Sequence, residues 1–215
     1  FVPDFADLNV EALAGAALRR FSWKGRPFET RLLGSYQPFN AALALTAADV
    51  LCGRGWAISD EAAASGIASA RWPGRFEVVG TSPLTIVDGG HNPQGAEALA
   101  ASLADLLGGE GCASVDFALG VLADKDYRAM VRAVMPWARS FSVYAPRSPR
   151  ALAAEELAAC VRKVLGEEGR ADDVPVRVCS APADALSAAR AAAGPEGCAV
   201  AFGTLYAIAD LMAAL

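Results

Sequence analysis

From residue 76 onward the chain repeats one pattern, a short apolar run followed by a helix-like stretch, and that repetition narrows the choice of fold more than any other feature. The apolar runs are FEVV (76–79), LTIVD (84–88), VDFALGVL (115–122), SFSVYA (140–145), VPVRVC (174–179) and CAVAFG (198–203). Helices are predicted over 93–107, 126–137, 151–165, 182–193 and 204–214. The first of these has Pro93 suited to a first turn and Gly108-Gly109 suited to stopping it. Runs that are apolar on both faces and alternate with helices describe strands buried on both sides, as in a parallel sheet sandwiched by helices. The expected class is α/β: a Rossmann-like, mostly parallel sheet with helices on both faces.

The first 70 residues read differently. FETRLL (28–33) is a short strand, and Gln37–Cys52 carries an Ala/Leu face at helical spacing. Ser59 is placed to cap a second helix whose first turn holds Asp60 and Glu61. Arg71-Trp72-Pro73-Gly74-Arg75 breaks that helix and marks the expected boundary between a segment 1–70 and a domain 71–215.

Composition removes several classes. With 215 residues, 54% hydrophobic and 20% charged, the chain can bury a core and is neither a disordered tail nor a coiled coil. The mean hydropathy of +0.30 is inflated by alanine, and the longest uncharged apolar stretch, 197–209, falls short of the ~20 residues that span a bilayer. No secretory leader opens the sequence, so no membrane partner is expected. A net charge of −5 argues against a nucleic-acid partner, which requires a cationic face. The five cysteines (52, 112, 160, 179 and 198) form no C-x-x-C pair and there is one histidine, so no metal site is expected and a reducing cytoplasm fits best. Cys179 and Cys198 lie in strand-like runs, where a free thiol acts as a small hydrophobe.

Ligands of an open parallel sheet bind beyond the carboxyl ends of its strands. The polar residues there are Asp88-Gly89-Gly90-His91-Asn92, Gly120–Lys125, Pro146-Arg147, Ser180 and Gly203-Thr204. The first cluster places a carboxylate at a strand end, then two glycines, a histidine and an amide ahead of a helix N-terminus, which offers N–H groups to an anion. Asp88 suits a ribose hydroxyl or a metal-bound water, and equally a turn or cap. His91 suits donation to a phosphate or acceptance of a proton. Asp124-Lys125-Asp126 and the proline-flanked Arg147–Arg150 read as loops. Arg71 and Arg75 fit a phosphate clamp or a structural role between domains. Neither a phosphate loop nor a G-x-G-x-x-G turn occurs, which disfavours a dehydrogenase, and no G-x-S-x-G elbow is present.

Five segments in order carry a resemblance: YQPFNAALAL (36–45), RWPGRFEVV (71–79), IVDGGHNPQGAEAL (86–99), FALGVLADKDYRAMV (117–131) and GTLYAIADL (203–211). Together they resemble the C-terminal half of the folylpolyglutamate synthase/dihydrofolate synthase family of the Mur ligase superfamily, across essentially the whole chain. The pairing of PGRFE with DGGHNP, and GVLADKD, favour the folate branch over the cell-wall branch.

The resemblance implies that 1–70 is the C-terminal remnant of a central ATPase domain and that 71–215 is the Mur-type C-terminal domain. It implies an ATP-dependent ligase that adds L-glutamate to dihydropteroate or folate through an acyl phosphate, with this portion inactive alone, acting as a cytoplasmic monomer. Asn40, Arg75 and Asp88 would contact ATP, His91 would lie near the terminal phosphate and incoming glutamate, and Thr204 would bind glutamate. Magnesium would be held outside this chain. Two positions depart from the family pattern: Tyr36 replaces a histidine, and Thr204 replaces a serine. The alternatives are a non-catalytic nucleotide- or amino-acid-binding module and a ligase of cell-wall precursors.

Overall fold

The computed structural model describes residues 4–13, 18–108 and 115–215, so Cys112 and Gly109 lie outside the described residues. The elements are β1 (Leu8–Val10), β2 (Arg19–Trp23), β3 (Arg26–Thr30), α1 (Gln37–Cys52), α2 (Asp60–Ser69), β4 (Glu77–Thr81), β5 (Leu84–Asp88), α3 (Pro93–Leu107), β6 (Val115–Leu119), α4 (Tyr127–Val134), β7 (Ala138–Val143), α5 (Ala154–Glu167), β8 (Val176–Val178), α6 (Pro182–Ala193), β9 (Cys198–Phe202) and α7 (Ile208–Met212).

The expected α/β sheet is present. Six strands run in the order β4-β5-β9-β6-β7-β8, all neighbours parallel except the antiparallel edge pair β4-β5. Strand side chains alternate between two faces, and the two faces are built from different residues. Phe117, Phe141 and Phe202 point one way, against Leu99 and Leu103 of α3, Val131 of α4 and Val161 of α5. Each of those phenylalanines is at most 1% exposed, which is worth about 1.5–3 kcal/mol of transfer free energy apiece. Ala118, Ala199 and Ala201 point the other way and meet Ala185, Leu186 and Ala189 of α6, with α7 alongside. Alanine on both sides of that contact lets the helix backbone approach the sheet closely.

Caps account for the sharpest boundaries. Asn92 Oδ1 accepts from Gly95 N (2.7 Å), Pro93 occupies the first turn, and Gly108 ends α3 in the left-handed region at φ +70°. Ser59 Oγ accepts from Ala62 N, as its position before α2 suggested. Four expected elements are corrected, one of them the helix expected over 204–214, which is a 3-10 turn at Leu205–Ala207 followed by α7. The strand expected over 28–33 is Arg26–Thr30, because Thr30 Oγ1 accepts from Leu32 N and turns the chain. The helix expected over 126–137 becomes 3-10 after Val134, where Pro136 has no N–H to continue the α pattern. The helix expected from 151 starts at Ala154, because Ala151 is drawn into a bridge with Leu122.

The segment before residue 71 adds a three-stranded antiparallel sheet, β1-β2-β3, that the sequence reading did not anticipate beyond one strand. Its β2-β3 turn is Lys24-Gly25, at φ 50° and 74°, a pair of left-handed residues that matches the twist of a two-residue hairpin. Phe21, Trp23 and Phe28 pack on Ala41, Ala42 and Leu45 of α1 in a separate small core. Arg19, 1% exposed, joins this sheet to the larger one: Nε and Nη2 donate to Leu33 O (2.8 and 2.5 Å), and Nη2 pairs with Asp105 on α3 (2.5 Å). No helix among the described residues is long and apolar enough to cross a membrane.

Candidate functional site

The connections leaving β5 and β9 go to opposite faces of the sheet: α3 packs with α4 and α5, whereas the segment after β9 joins α6. Such a divergence opens a crevice at the carboxyl ends of adjacent strands. Asp88, Thr204 and the loop after β6 surround that point, because β5, β9 and β6 are neighbours there.

Asp88 is 4% exposed, and both of its oxygens are engaged: Oδ2 accepts from Phe76 N (2.8 Å) and Oδ1 from Gly90 N (2.6 Å). Burial pushes its carboxyl above the ordinary carboxylate range, opposed by these two N–H groups and then by Arg75 and His91. Phe76 holds a left-handed φ of 46° and Gly74 one of 68°, so both neighbours of Arg75 are in constrained conformations. Gly74 O accepts from Gly89 N (2.6 Å) and Gly74 N donates to Glu77 Oε2 (2.8 Å). The 74–76 loop is thus pinned on both sides of Arg75, and Asp88 is one of the pins.

The glycines here have steric reasons. A Cβ on Gly89 would lie 2.2 Å from Leu205 Cδ2, and one on Gly74 would lie 2.6 Å from Ile208 Cδ1, so the segment leading into α7 covers both loops. Arg75 itself is exposed, with its guanidinium 5.8 Å from the Trp72 ring centroid. It lines a hollow of about 240 Å³ with Arg31, Arg71 and Glu77. Arg71, by contrast, caps α2: its Nη1 donates to Ala68 O and Ala70 O (3.1 and 2.8 Å).

Tyr36 stands between these groups. Its phenol is raised first by burial, then by the charge of Asp88, while Arg75 offsets this as a charge and hydrogen-bond partner. Asn40 lies one turn further along α1 and is exposed, and its Nδ2 donates to Gln37 Oε1 (3.1 Å). Arg75 and Asp88 are therefore brought near one another, linked through the Phe76 N–H and by charge rather than by an ion pair. Asn40 hydrogen-bonds to neither; its backbone N–H donates to Tyr36 O (3.2 Å) on the same turn.

His91 faces a second opening, a cleft of about 120 Å³ lined also by Leu122, Lys125, Arg150, Thr204, Leu205 and Tyr206. Its Nδ1 is 3.0 Å from Gly89 O. A carbonyl only accepts, so Nδ1 carries the proton of that bond and a neutral ring keeps Nε2 as an acceptor. Thr204 is 2% exposed, and its Oγ1 accepts from Tyr206 N (3.2 Å), starting the short 3-10 turn Leu205–Ala207. Gly203 before it sits at φ +113°, where a Cβ would lie 2.4 Å from Gly120 O. Lys125 and Arg150, which the sequence reading places in loops and not among the candidate site residues, line this cleft with His91. The only signal was that each follows the carboxyl end of a strand.

Magnesium does not fit this set: the oxygens of Asp88 accept N–H groups and the cleft is lined by cations. Among the described residues no group of three His, Cys, Asp or Glu could hold a metal ion. Of the free cysteines, Cys198 is buried, and burial followed by the charge of Asp116 pushes its thiol up to about 12.

Comparison with known proteins gives the family. The family described as "Mur ligase, glutamate ligase domain" matches residues 74–205. A folylpolyglutamate synthase of Lacticaseibacillus casei is 35% identical over 126 residues, 58% of this chain and 28% of that protein. The structure of Mycobacterium tuberculosis folylpolyglutamate synthase complexed with ADP aligns with 97% of this chain and 48% of its own at TM-score 0.76 and 27% identity. The structure of E. coli FolC in complex with DHPP and ADP aligns with 97% and 45%, at TM-score 0.73 and 27% identity. The chain spans less than half the length of each. Matched across most of the sheet domain and aligned over nearly its whole length, the chain belongs to the Mur ligase family through its glutamate ligase domain and corresponds to the C-terminal half of a folylpolyglutamate synthase/dihydrofolate synthase.

Proposed function

We propose that this chain supplies the nucleotide-orienting and amino-acid-accepting half of an ATP-dependent ligase that adds L-glutamate to dihydropteroate or folate. The observation that carries the reading is the pinned Arg75 beside buried Asp88, set next to a cation-lined cleft that holds His91. That pairing joins one position for nucleotide with one for a small anionic amine. The ADP complexes of the related enzymes, and the DHPP bound by one of them, support the substrate classes.

In the reaction the terminal phosphoryl group of ATP passes to the acceptor carboxylate, leaving ADP and an acyl phosphate. The glutamate amine attacks the carbonyl carbon, loses a proton, and phosphate departs as the amide forms. Arg75 offsets charge on the phosphoryl oxygens. Asp88 positions Arg75 through the Phe76 N–H, and a remaining lone pair can accept from the nucleotide. Asn40 contacts the nucleotide from the first turn of α1. His91 Nε2 accepts the amine proton, and the Thr204 region closes the amino-acid end of the cleft. No step runs through magnesium on these residues; its ligands are expected outside this chain.

We assign 1–70 to an ATPase domain and 71–215 to the glutamate ligase domain. Helix α1 supports the division: Phe39 (44% exposed), Leu43 (45%) and Val50 (48%) leave apolar surface on one side of it, suited to packing against the remainder of the ligase. Free thiols support a cytoplasmic enzyme, and a monomer is expected.

The test is ADP release by the full-length protein. Release that requires both L-glutamate and dihydropteroate or folate is expected, and Asp88→Ala should lower kcat/KM for ATP by about 100-fold. Absence of glutamate transfer to any reduced pterin acid, with turnover of a UDP-linked cell-wall acceptor instead, removes the folate assignment.

A further inference from the structure

We infer that Arg150 is a specificity-determining residue of the His91 cleft, reading the side-chain carboxylate of the incoming amino acid, and that Asp124 is the positioning residue that holds it there. The inference rests on the glutamate-ligase reading above and assigns a contact within that site.

Residues after β6 and β7 are zipped together: Ala123 N donates to Arg150 O (2.9 Å), Leu152 N donates to Val121 O (3.1 Å), and Leu122 bridges Ala151. Two loops that the sequence separates by some 25 residues thereby become one rigid double strand at the crevice, and the Cα of Arg150 is fixed relative to β6. A long side chain on a fixed root loses less freedom on binding than one on a mobile loop.

The side chains continue the pattern. Arg150 Nη2 pairs with Asp124 Oδ2 at 2.5 Å, and Lys125 Nζ approaches the same oxygen at 3.3 Å. Asp124 is held below the ordinary carboxylate range, first by its hydrogen bond to Arg150. One carboxylate therefore serves two permanent cations, leaving one positive charge uncompensated in the lining of the cleft. Arg150 has five N–H donors; Nη2 goes to Asp124 and the Tyr206 hydroxyl is a second hydrogen-bond partner, which leaves further donors of the fork for a ligand. The remaining donors of a guanidinium on a fixed root, with the Tyr206 hydroxyl beside them, suit the planar, two-oxygen geometry of a carboxylate. A cleft of about 120 Å³ admits one small amino acid. Glutamine keeps the shape and loses the charge; aspartate keeps the charge and falls one methylene short.

The experiment is steady-state kinetics of the full-length ligase with glutamate, glutamine and aspartate. In Arg150→Gln the KM for glutamate should rise roughly 10- to 100-fold, the value of one charge-assisted hydrogen bond, with the KM for ATP unmoved and preference over glutamine reduced. Arg150→Lys should recover part of the loss, and Asp124→Asn should move glutamate KM in the same direction by less. Unchanged glutamate KM in Arg150→Gln, in an enzyme whose wild type transfers glutamate, overturns the inference alone. Equal rises in the KM of ATP and glutamate, or a variant that does not fold while Arg150→Lys folds with unaltered glutamate KM, overturn it too. A wild type that transfers no glutamate defeats the functional reading first, and this assignment with it.

Discussion

Asp88 shows how one side chain can serve both fold and site, because the carboxylate that would orient a nucleotide is also the acceptor that keeps Phe76 at φ 46°. Its pH behaviour follows from its burial. The folded-state value is raised, so the folded protein holds that proton more tightly than the unfolded chain does. Stability from this group is fully present below the ordinary carboxylate value and falls as pH rises from there through the higher folded value. Asp88→Asn removes that dependence and leaves one backbone N–H facing an amide, at a cost of about 1–3 kcal/mol. Thermal unfolding across the acid-to-neutral range should show the wild-type advantage over Asp88→Asn shrinking as pH rises, and a difference constant with pH contradicts the assignment. Gly203→Ala is expected to be more damaging, combining a φ of +113° with a Cβ 2.4 Å from Gly120 O. Urea titration should report a loss of about 2–4 kcal/mol.

Elements were legible where their ends carry their own chemistry. Helix α3 reads as Pro93–Leu107 in sequence and structure alike, because Asn92, Pro93 and Gly108 mark both ends locally. The β2 strand was not legible: RRFSW carries a buried arginine where alternation calls for an apolar residue, and its Lys24-Gly25 turn is an uncommon hairpin signal. The site divides in the same way. Asp88, His91 and Lys125 follow recognisable strand ends, whereas Arg150 is tied to the cleft by the long-range Leu122–Ala151 bridge. The alanine face of α6 makes a prediction at this scale. Ala189 is fully buried against Ala118, Ala199 and Ala201, so Ala189→Leu overpacks a contact with no slack and should cost about 1–3 kcal/mol. Ala191→Leu, on the exposed side of the same helix, should stay within about 0.5 kcal/mol of wild type. Chemical denaturation of the pair separates packing from helix propensity.

At the scale of the whole molecule the question is how two sheets with separate cores act as one body. Leu13 and Leu33 enter the larger core beside Phe76, and Ser35 N donates to Ser102 Oγ (2.9 Å), but the strongest polar link is Arg19. Its guanidinium is buried, and two partners satisfy it: the Leu33 carbonyl within its own sheet region and Asp105 on α3. Asp105 is 29% exposed at its side chain, so the pair sits at the edge of the core rather than deep within it. Removing the carboxylate leaves a buried cation short of its counter-charge, whereas removing the arginine leaves a half-solvated aspartate that water can serve. The two substitutions should therefore be unequal. Asp105→Ala is expected to cost about 2–3 kcal/mol. The double substitution Arg19→Met/Asp105→Ala should recover part of that loss, because the unpaired charge leaves together with its partner. Hydrogen exchange should locate the effect: in Asp105→Ala the amides of β2 and β3 should exchange faster while those of β6 and β9 keep their protection. Uniform acceleration across both sheets would mean that the small sheet and the large one unfold as a single unit and that Arg19 is one contact among many.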